Sequence, residues 1–180
     1  MLARREVVTL RSVVAGLGVS TIAVYTYFDG MPGLWRAVRQ EGFTRLGERL
    51  ATVAQTDDSI ADLAGLCAAY AAHGLAEPDL YRAMFDAAAD LDDPAAAGRG
   101  LELLTAAAAR AVADGRLAAD PGVALRIWIG GHGLLSLVLT GVLPAEQVSI
   151  QGQELLIAQC VAAGGDRPTI ATSVHQGWDR

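Results

Sequence analysis

The sequence predicts an all-α protein, and three observations carry that prediction. Alanine dominates the composition, as suits helix interiors. No stretch sustains the period-two alternation of β-branched and polar residues that a half-buried strand requires. Glycine and proline cut the chain into segments in which apolar residues recur every three or four positions. With 52% hydrophobic and 19% charged residues among 180, wholesale disorder is excluded and a sizeable buried core is expected.

The elements follow in order, about eight helices in all. The first runs from Thr9 to about Leu17: Thr9 caps it, Leu10, Val13, Val14 and Leu17 share one face, and Gly18 stops it. Ser20 caps a short second helix through Tyr27 that turns Val24 and Phe28 inward and breaks at Asp29-Gly30. Pro32 suits the first turn of a long third helix carrying Leu34, Trp35, Val38, Phe43, Leu46 and Leu50 to about Val53. Gln55 to Ser59 reads as the seam between two domains, 1–54 and 55–165. Asp58 or Ser59 then caps a helix through Cys67, Tyr70 and His73 that ends at Glu77-Pro78. A helix through Leu80, Tyr81, Met84 and Phe85 is followed by a turn at Leu91 to Pro94 and a helix from Leu101 to Asp114. An apolar helix within Ile127 to Ala145 and one from about Ser149 to Ala163 complete the body, and 166–180 reads as an irregular tail.

Charge and cysteine usage narrow the class. The net charge is −6, yet residues 1–50 carry seven arginines against four carboxylates, +3, so the remainder carries −9. A basic head on an acidic body permits a local phosphate-binding face. Cys67 and Cys160 lie far apart with no ligand spacing around them, which supports neither a disulfide framework nor a zinc site and fits a reducing cytoplasm. Met1 to Glu6 lacks the apolar region of a signal peptide. The 19 uncharged residues from Ile127 to Ala145 approach a membrane span in length, but the glycines, Ser136 and Thr140 among them fit a bundle core or subunit interface better. No membrane association is expected.

The informative segment is Thr9 to Phe28, TLRSVVAGLGVSTIAVYTYF. Two helices joined by so short a turn cross steeply and expose the second, the shape that enters a DNA major groove. On its outer side Thr21, Ile22, Ala23, Thr26 and Tyr27 are small or polar enough to approach base edges and phosphates. An ordinary helical corner is the alternative that periodicity alone leaves open. The run resembles the DNA-binding segment of TetR-family transcriptional repressors, with Thr9, Arg11, Val13, Gly18, Val19, Ser20, Tyr25 and Phe28 matching in register. The resemblance implies that Thr9 and Arg11 touch phosphates, that Thr21, Ala23, Tyr25 and Tyr27 form the recognition contacts with Ser20 at their entry, and that Trp35 to Leu50 is a connector helix. Trp128, His132 and Gly133 resemble the Trp-His-Gly signature of one class of C-terminal domains in that family. A helical effector domain is implied, whose last two helices pair with those of a second subunit.

Two departures from the family pattern stand out. Only eight residues precede Thr9, where the family has a supporting helix, so either the true start lies upstream and supplies that helix or the head lacks it. Met31 stands where the family usually has a phosphate-contacting lysine, which lowers the expected salt slope by about one.

In the body, Trp35, Tyr70, His73, Tyr81, Met84, Phe85, Leu104, Trp128 and His132 are the large or polar-tipped groups. Most are expected in the core. Tyr70, His73, Tyr81, Met84, Phe85, Leu104, Trp128 and His132 are the candidates to line an apolar cavity with a few hydrogen-bonding tips. His132 has no nucleophile with an acidic partner near it, so no catalysis is expected. His73 and His175 lack a partner at metal-ligand spacing, and Asp86, Asp90, Asp92 and Asp93 lack the calcium-loop pattern, so neither metal nor cofactor is expected. The reading is a ligand-responsive repressor: a cytoplasmic homodimer that binds a palindromic operator in double-stranded DNA and is released by a small hydrophobic effector. The alternative is a helical ligand-binding and dimerisation module with a vestigial DNA-binding head.

Overall fold

A computed structural model describes residues 8–86 and 90–180. The expectation about the segment before Thr9 falls mainly on residues 1–7, outside the described ones. Among the described residues all regular structure is helical: α1 (Leu10–Val14), α2 (Thr21–Phe28), α3 (Met31–Ala51), α4 (Ser59–Ala76), α5 (Pro78–Asp86), α6 (Ala95–Ala113), α7 (Val123–Leu139), α8 (Gln147–Ala162) and α9 (Arg167–Trp178). None is long and apolar enough to cross a membrane.

The chain forms two compact units, Met1–Arg45 with Glu77–Ala97, and Leu46–Ala76 with Gly98–Arg180. The division falls inside α3 and not at the 54/55 seam that the sequence predicts. The reason lies in α5. Gly42 on α3 leaves room for Met84 and Leu80, and Phe43 meets Phe85 edge to face at 5.5 Å, while the Tyr81 ring lies 4.9 Å from Phe85, inclined at 53° to it. A segment of the later sequence thereby joins the N-terminal unit. Arg36 (2.8 Å) and Arg39 both donate to the Asp90 carboxylate, and Gln40 accepts the Asp93 N–H at 2.9 Å, so the segment leading into α6 is tied to α3 as well.

The second unit is built around α4, whose Ile60, Ala61, Leu63 and Ala64 are fully buried. It packs most extensively against α9, while α7 and α8 lie together and α8 also meets α9. The irregular tail expected for 166–180 is therefore a correction. Asp166 caps α9 through the Thr169 N–H at 3.2 Å, Pro168 occupies its first turn, and Ile170, Ser173, Val174 and Gly177 face inward. Small residues on that inner face let two backbones approach closely: a Cβ on Gly177 would lie 2.0 Å from the Ala61 carbonyl oxygen. α1 ends at Val14 and not near Leu17, and α6 begins at Ala95, where Asp93 bonds the Ala95 N–H (3.0 Å), six residues before the expected start.

A polar cluster fastens α9 to the start of α4. Asp58 accepts the N–H groups of Ile60 (3.1 Å) and Ala61 (3.0 Å) and the Ser173 hydroxyl (2.6 Å), while Arg116 donates to Ser173 at 2.9 Å. Asp62 accepts from the Thr56 N–H (2.9 Å), the Thr56 hydroxyl (2.8 Å) and Arg110 (2.8 Å). Burial alone would push both carboxyls up. For Asp58 the Ser173 hydroxyl and for Asp62 the Thr56 N–H lead the bonds that outweigh it, holding both below the usual range.

Candidate functional site

The N-terminal site is assembled by local chemistry. Thr9 and Ser12 form a reciprocal capping box, the Thr9 hydroxyl accepting the Ser12 N–H (3.2 Å) and the Ser12 hydroxyl accepting the Thr9 N–H (2.8 Å). The turn that follows needs left-handed backbone at Gly16 (φ 81°) and Gly18 (φ 68°), positions at which a side chain would be strained. Ser20 then starts α2 in extended conformation and makes no side-chain capping bond.

Helix α2 buries Val24 alone. Ile22, Tyr25 and Tyr27 are 72%, 59% and 79% exposed, and Phe28, expected to face inward, is exposed too. Thr21 and Ala23 are half-buried, and the Thr26 hydroxyl donates to the Ile22 carbonyl at 3.0 Å, so it is engaged along its own helix. Thr9, Arg11 and Ser20 are exposed, and Arg11 has no ion pair among the described residues. The predicted contact residues thus lie in one helix-turn-helix, and all but Thr21 and Ala23 are exposed. From Val8 to Gly30 the formal charges are only Arg11 and Asp29. What the surface offers is hydroxyls, aromatic edges and one guanidinium.

The body candidates fall into the two units. Tyr81, Met84 and Phe85 pack in the first unit, and Tyr70, His73, Leu104, Trp128 and His132 lie in the second. There the Tyr70 hydroxyl and His132 Nδ1 are 3.1 Å apart, and the Trp128 ring, one turn before His132 on α7, lies 6.0 Å from the imidazole. Burial pushes the His132 pKa below its ordinary value, favouring the neutral ring. The arrangement is a polar pair beside an aromatic face, able to orient a ligand through one or two hydrogen bonds. The two cysteines offer little chemistry, since burial raises Cys67 to about 12 and Cys160 to about 11. Among the described residues no three His, Cys, Asp or Glu side chains cluster as metal ligands.

The sequence points to the helices of a subunit contact without naming the residues of its exposed face. Leu125, Ile129, Gly133 and Leu137 recur every fourth residue on α7, and the three large ones are 44%, 57% and 45% exposed. Ile150 and Leu155 on α8 are exposed as well. The signal was present in the four-residue spacing, but spacing does not say which of two apolar faces is covered.

Comparison with known proteins places this geometry in context. The family described as the tetracycline repressor-like C-terminal domain matches residues 63–162. The chain is also similar to a solved structure of a protein with unknown function from Rhodococcus sp. RHA1, at 23% identity over 84% of each chain with a TM-score of 0.68. That likeness concerns the fold. No curated protein sequence matches this chain.

Proposed function

The chain belongs to the tetracycline repressor-like family of regulators, and from that premise we propose that it is a ligand-responsive transcriptional repressor that binds a palindromic operator as a cytoplasmic homodimer. The observation that carries the reading is α2, a short helix that buries one residue and exposes Ile22, Tyr25 and Tyr27 directly after a tight glycine turn. A helix so presented fits the major groove, with Thr21, Ile22, Ala23, Tyr25, Thr26 and Tyr27 toward base edges and Thr9, Arg11 and Ser20 toward phosphates.

The exposed stripe of Leu125, Ile129, Gly133 and Leu137, with Ile150 and Leu155, supports dimerisation through α7 and α8 of each subunit. Exposed apolar faces of that kind mark subunit contacts, and a closed two-fold pair would match two half-sites about one helical turn apart. The effector is a small hydrophobic molecule oriented by Tyr70 and His132 beside Trp128. Its binding would favour a head separation that mismatches the half-sites, releasing DNA through differential affinity for two conformations.

The test is capture of duplexes from a random pool, with sequencing and a salt titration of the best binder. The expected result is an enriched palindrome with a shallow salt slope, about −2 from Arg11 on two heads. A second reading, a ligand-binding and dimerisation module whose head does not engage DNA, is favoured by the near-zero charge of Val8 to Gly30. Failure to enrich any sequence at low salt, from a protein that is dimeric and folded, would establish that second reading and sink the first.

A further inference from the structure

The second unit contains a cavity of about 890 Å³ that the Tyr70–His132 pair does not line. It opens between the end of α3 and the residues just after it (Arg49, Thr52, Val53), one face of α4 (Ala61, Gly65, Ala68, Ala72, Leu75), the start of α8 (Val148, Ser149) and the end of α9 (Gly177, Trp178). Its size falls in the range of small-molecule sites, about 300–1,000 Å³. The α4 face is depleted of bulk: four of those five residues are alanine or glycine. Trp178 forms a firm wall, because its ring rests on Gly152, where a Cβ would come within 2.4 Å of it.

Charge gives the cavity its selectivity. In a chain of net charge −6, its lining includes Arg49 and Arg180 and no Asp or Glu. Arg180 leans weakly on Thr56 and Asp62, at 3.5 and 3.4 Å. Arg49 makes no side-chain hydrogen bond or ion pair among the described residues, so its guanidinium is available at the mouth of an apolar space. We propose that this cavity is a second ligand site, taking a small amphipathic carboxylate whose apolar body lies between the α4 alanines and Trp178 and whose head pairs with Arg49. A carboxylate matches the planar guanidinium fork, and the walls match an alkyl or aromatic body. Such a ligand would touch the end of α3, the helix that starts at Met31 directly after α2, so its occupancy bears on the connector. The inference does not depend on whether the head binds DNA.

The test is calorimetric titration of the full chain with decanoate, decan-1-ol and decyltrimethylammonium. Decanoate is expected to bind one-to-one with the chain, the alcohol at least tenfold more weakly, and the cation not at all. Arg49→Gln should weaken decanoate roughly three- to tenfold, the range for a charge-assisted bond at a solvent-facing site, and leave the alcohol unchanged. Ala72→Phe, which fills the space, should abolish both. Arg167→Gln, an exposed arginine on α9 that does not line the cavity, controls for net charge and should change nothing. Absence of decanoate binding, equal affinity for the alcohol, or equal effects of Arg49→Gln and Arg167→Gln would each overturn the proposal. Since Arg49 is exposed, its variant tests the idea even if Ala72→Phe fails to fold.

Discussion

Gly177→Ala probes the contact on which the second unit most depends. The added Cβ would stand 2.0 Å from the Ala61 carbonyl oxygen and 2.7 Å from its carbon, about 1.4 Å inside ordinary contact with the first. Both are backbone atoms of α4, so no side chain can rotate away. Two responses are open. All of α9 can lift, which uncovers Ile170 and Val174 and lengthens the 2.6 Å bond from Ser173 to Asp58. Alternatively the last turn alone peels off, giving up Trp178 on Gly152 and Arg180 near Asp62. The cheaper second response sets the cost, about 1–3 kcal/mol for overpacking even after the gain in helix propensity of roughly 1 kcal/mol. A chain of this size should then melt about 2–12 °C lower. Gly130→Ala is the matched control: nothing lies within 4 Å of its Cβ, so it should gain about 0.5–1 kcal/mol. Thermal and urea unfolding of both variants at one protein concentration decides the matter. A Gly177→Ala protein as stable as the parent would refute the close α4–α9 packing.

Five further outcomes are expected. Asp62→Ala should lose about 1–3 kcal/mol in urea unfolding by stranding Arg110 and the Thr56 N–H, and Asp62→Asn less. Because Asp58 and Asp62 titrate below their ordinary 3.8 when folded, the stability they supply is complete above that value and is lost as pH falls through it toward the lower folded values; acid unfolding of Asp62→Asn should lack part of that loss. His132 is likewise depressed from 6.5, so the unfolded chain takes up its proton first and stability should fall as pH drops from about 7 toward the folded value; a His132→Gln variant whose melting curve keeps the same step would contradict this. Ile129→Glu should sediment as a monomer at concentrations where the parent is a dimer, since it puts a charge in the middle of the exposed α7 stripe. Met31→Lys, at the first position of α3, should steepen the salt dependence of operator binding by about one per head, and an unchanged slope would remove that position from the phosphate contacts.

The parts of the fold legible in sequence were those set by local chemistry. Thr9 as a cap, the glycine turn, the Asp29-Gly30 break and the stop before Pro78 all depend on residues within a few positions of one another. What escaped was set by distant partners. α9 carries only Ile170 and Val174 as large buried apolar residues, and Ser173 and Gly177 complete its face because α4 comes close enough to need small ones. The division inside α3 escaped for the same reason, since it follows from Met84 and Phe85 meeting Gly42 and Phe43 some forty residues away. For the candidate site, the succession of helix, glycine turn and helix from Thr9 to Phe28 was readable, while the Arg49 cavity was not, because its lining comes from four separate helices and its commonest residue is alanine.

The distribution of charge sets how the proposed functions divide their energies. All fourteen basic residues are arginine, and several are engaged: Arg36 and Arg39 on Asp90, Arg45 on Glu41, Arg110 on Asp62, Arg116 on Asp58 and Arg126 on Asp120. Pairing of this kind removes most of the charge that would otherwise attract phosphate from a distance. Arg11, Arg49 and Arg99 are left without such partners among the described residues, the first on the helix-turn-helix and the second at the cavity mouth; Arg11 and Arg49 are the two that bear on the proposed sites. Each is thus the local cation of a surface whose other groups are hydroxyl, aromatic or aliphatic. Operator binding by such a head would rest on close groove contacts more than on counterion release, and with a net charge of −6 per chain the remainder of the protein repels DNA at long range. For the proposed repressor, nonspecific affinity should therefore be weak, and discrimination between operator and bulk DNA would depend on the fit of Ile22, Tyr25 and Tyr27 into the groove.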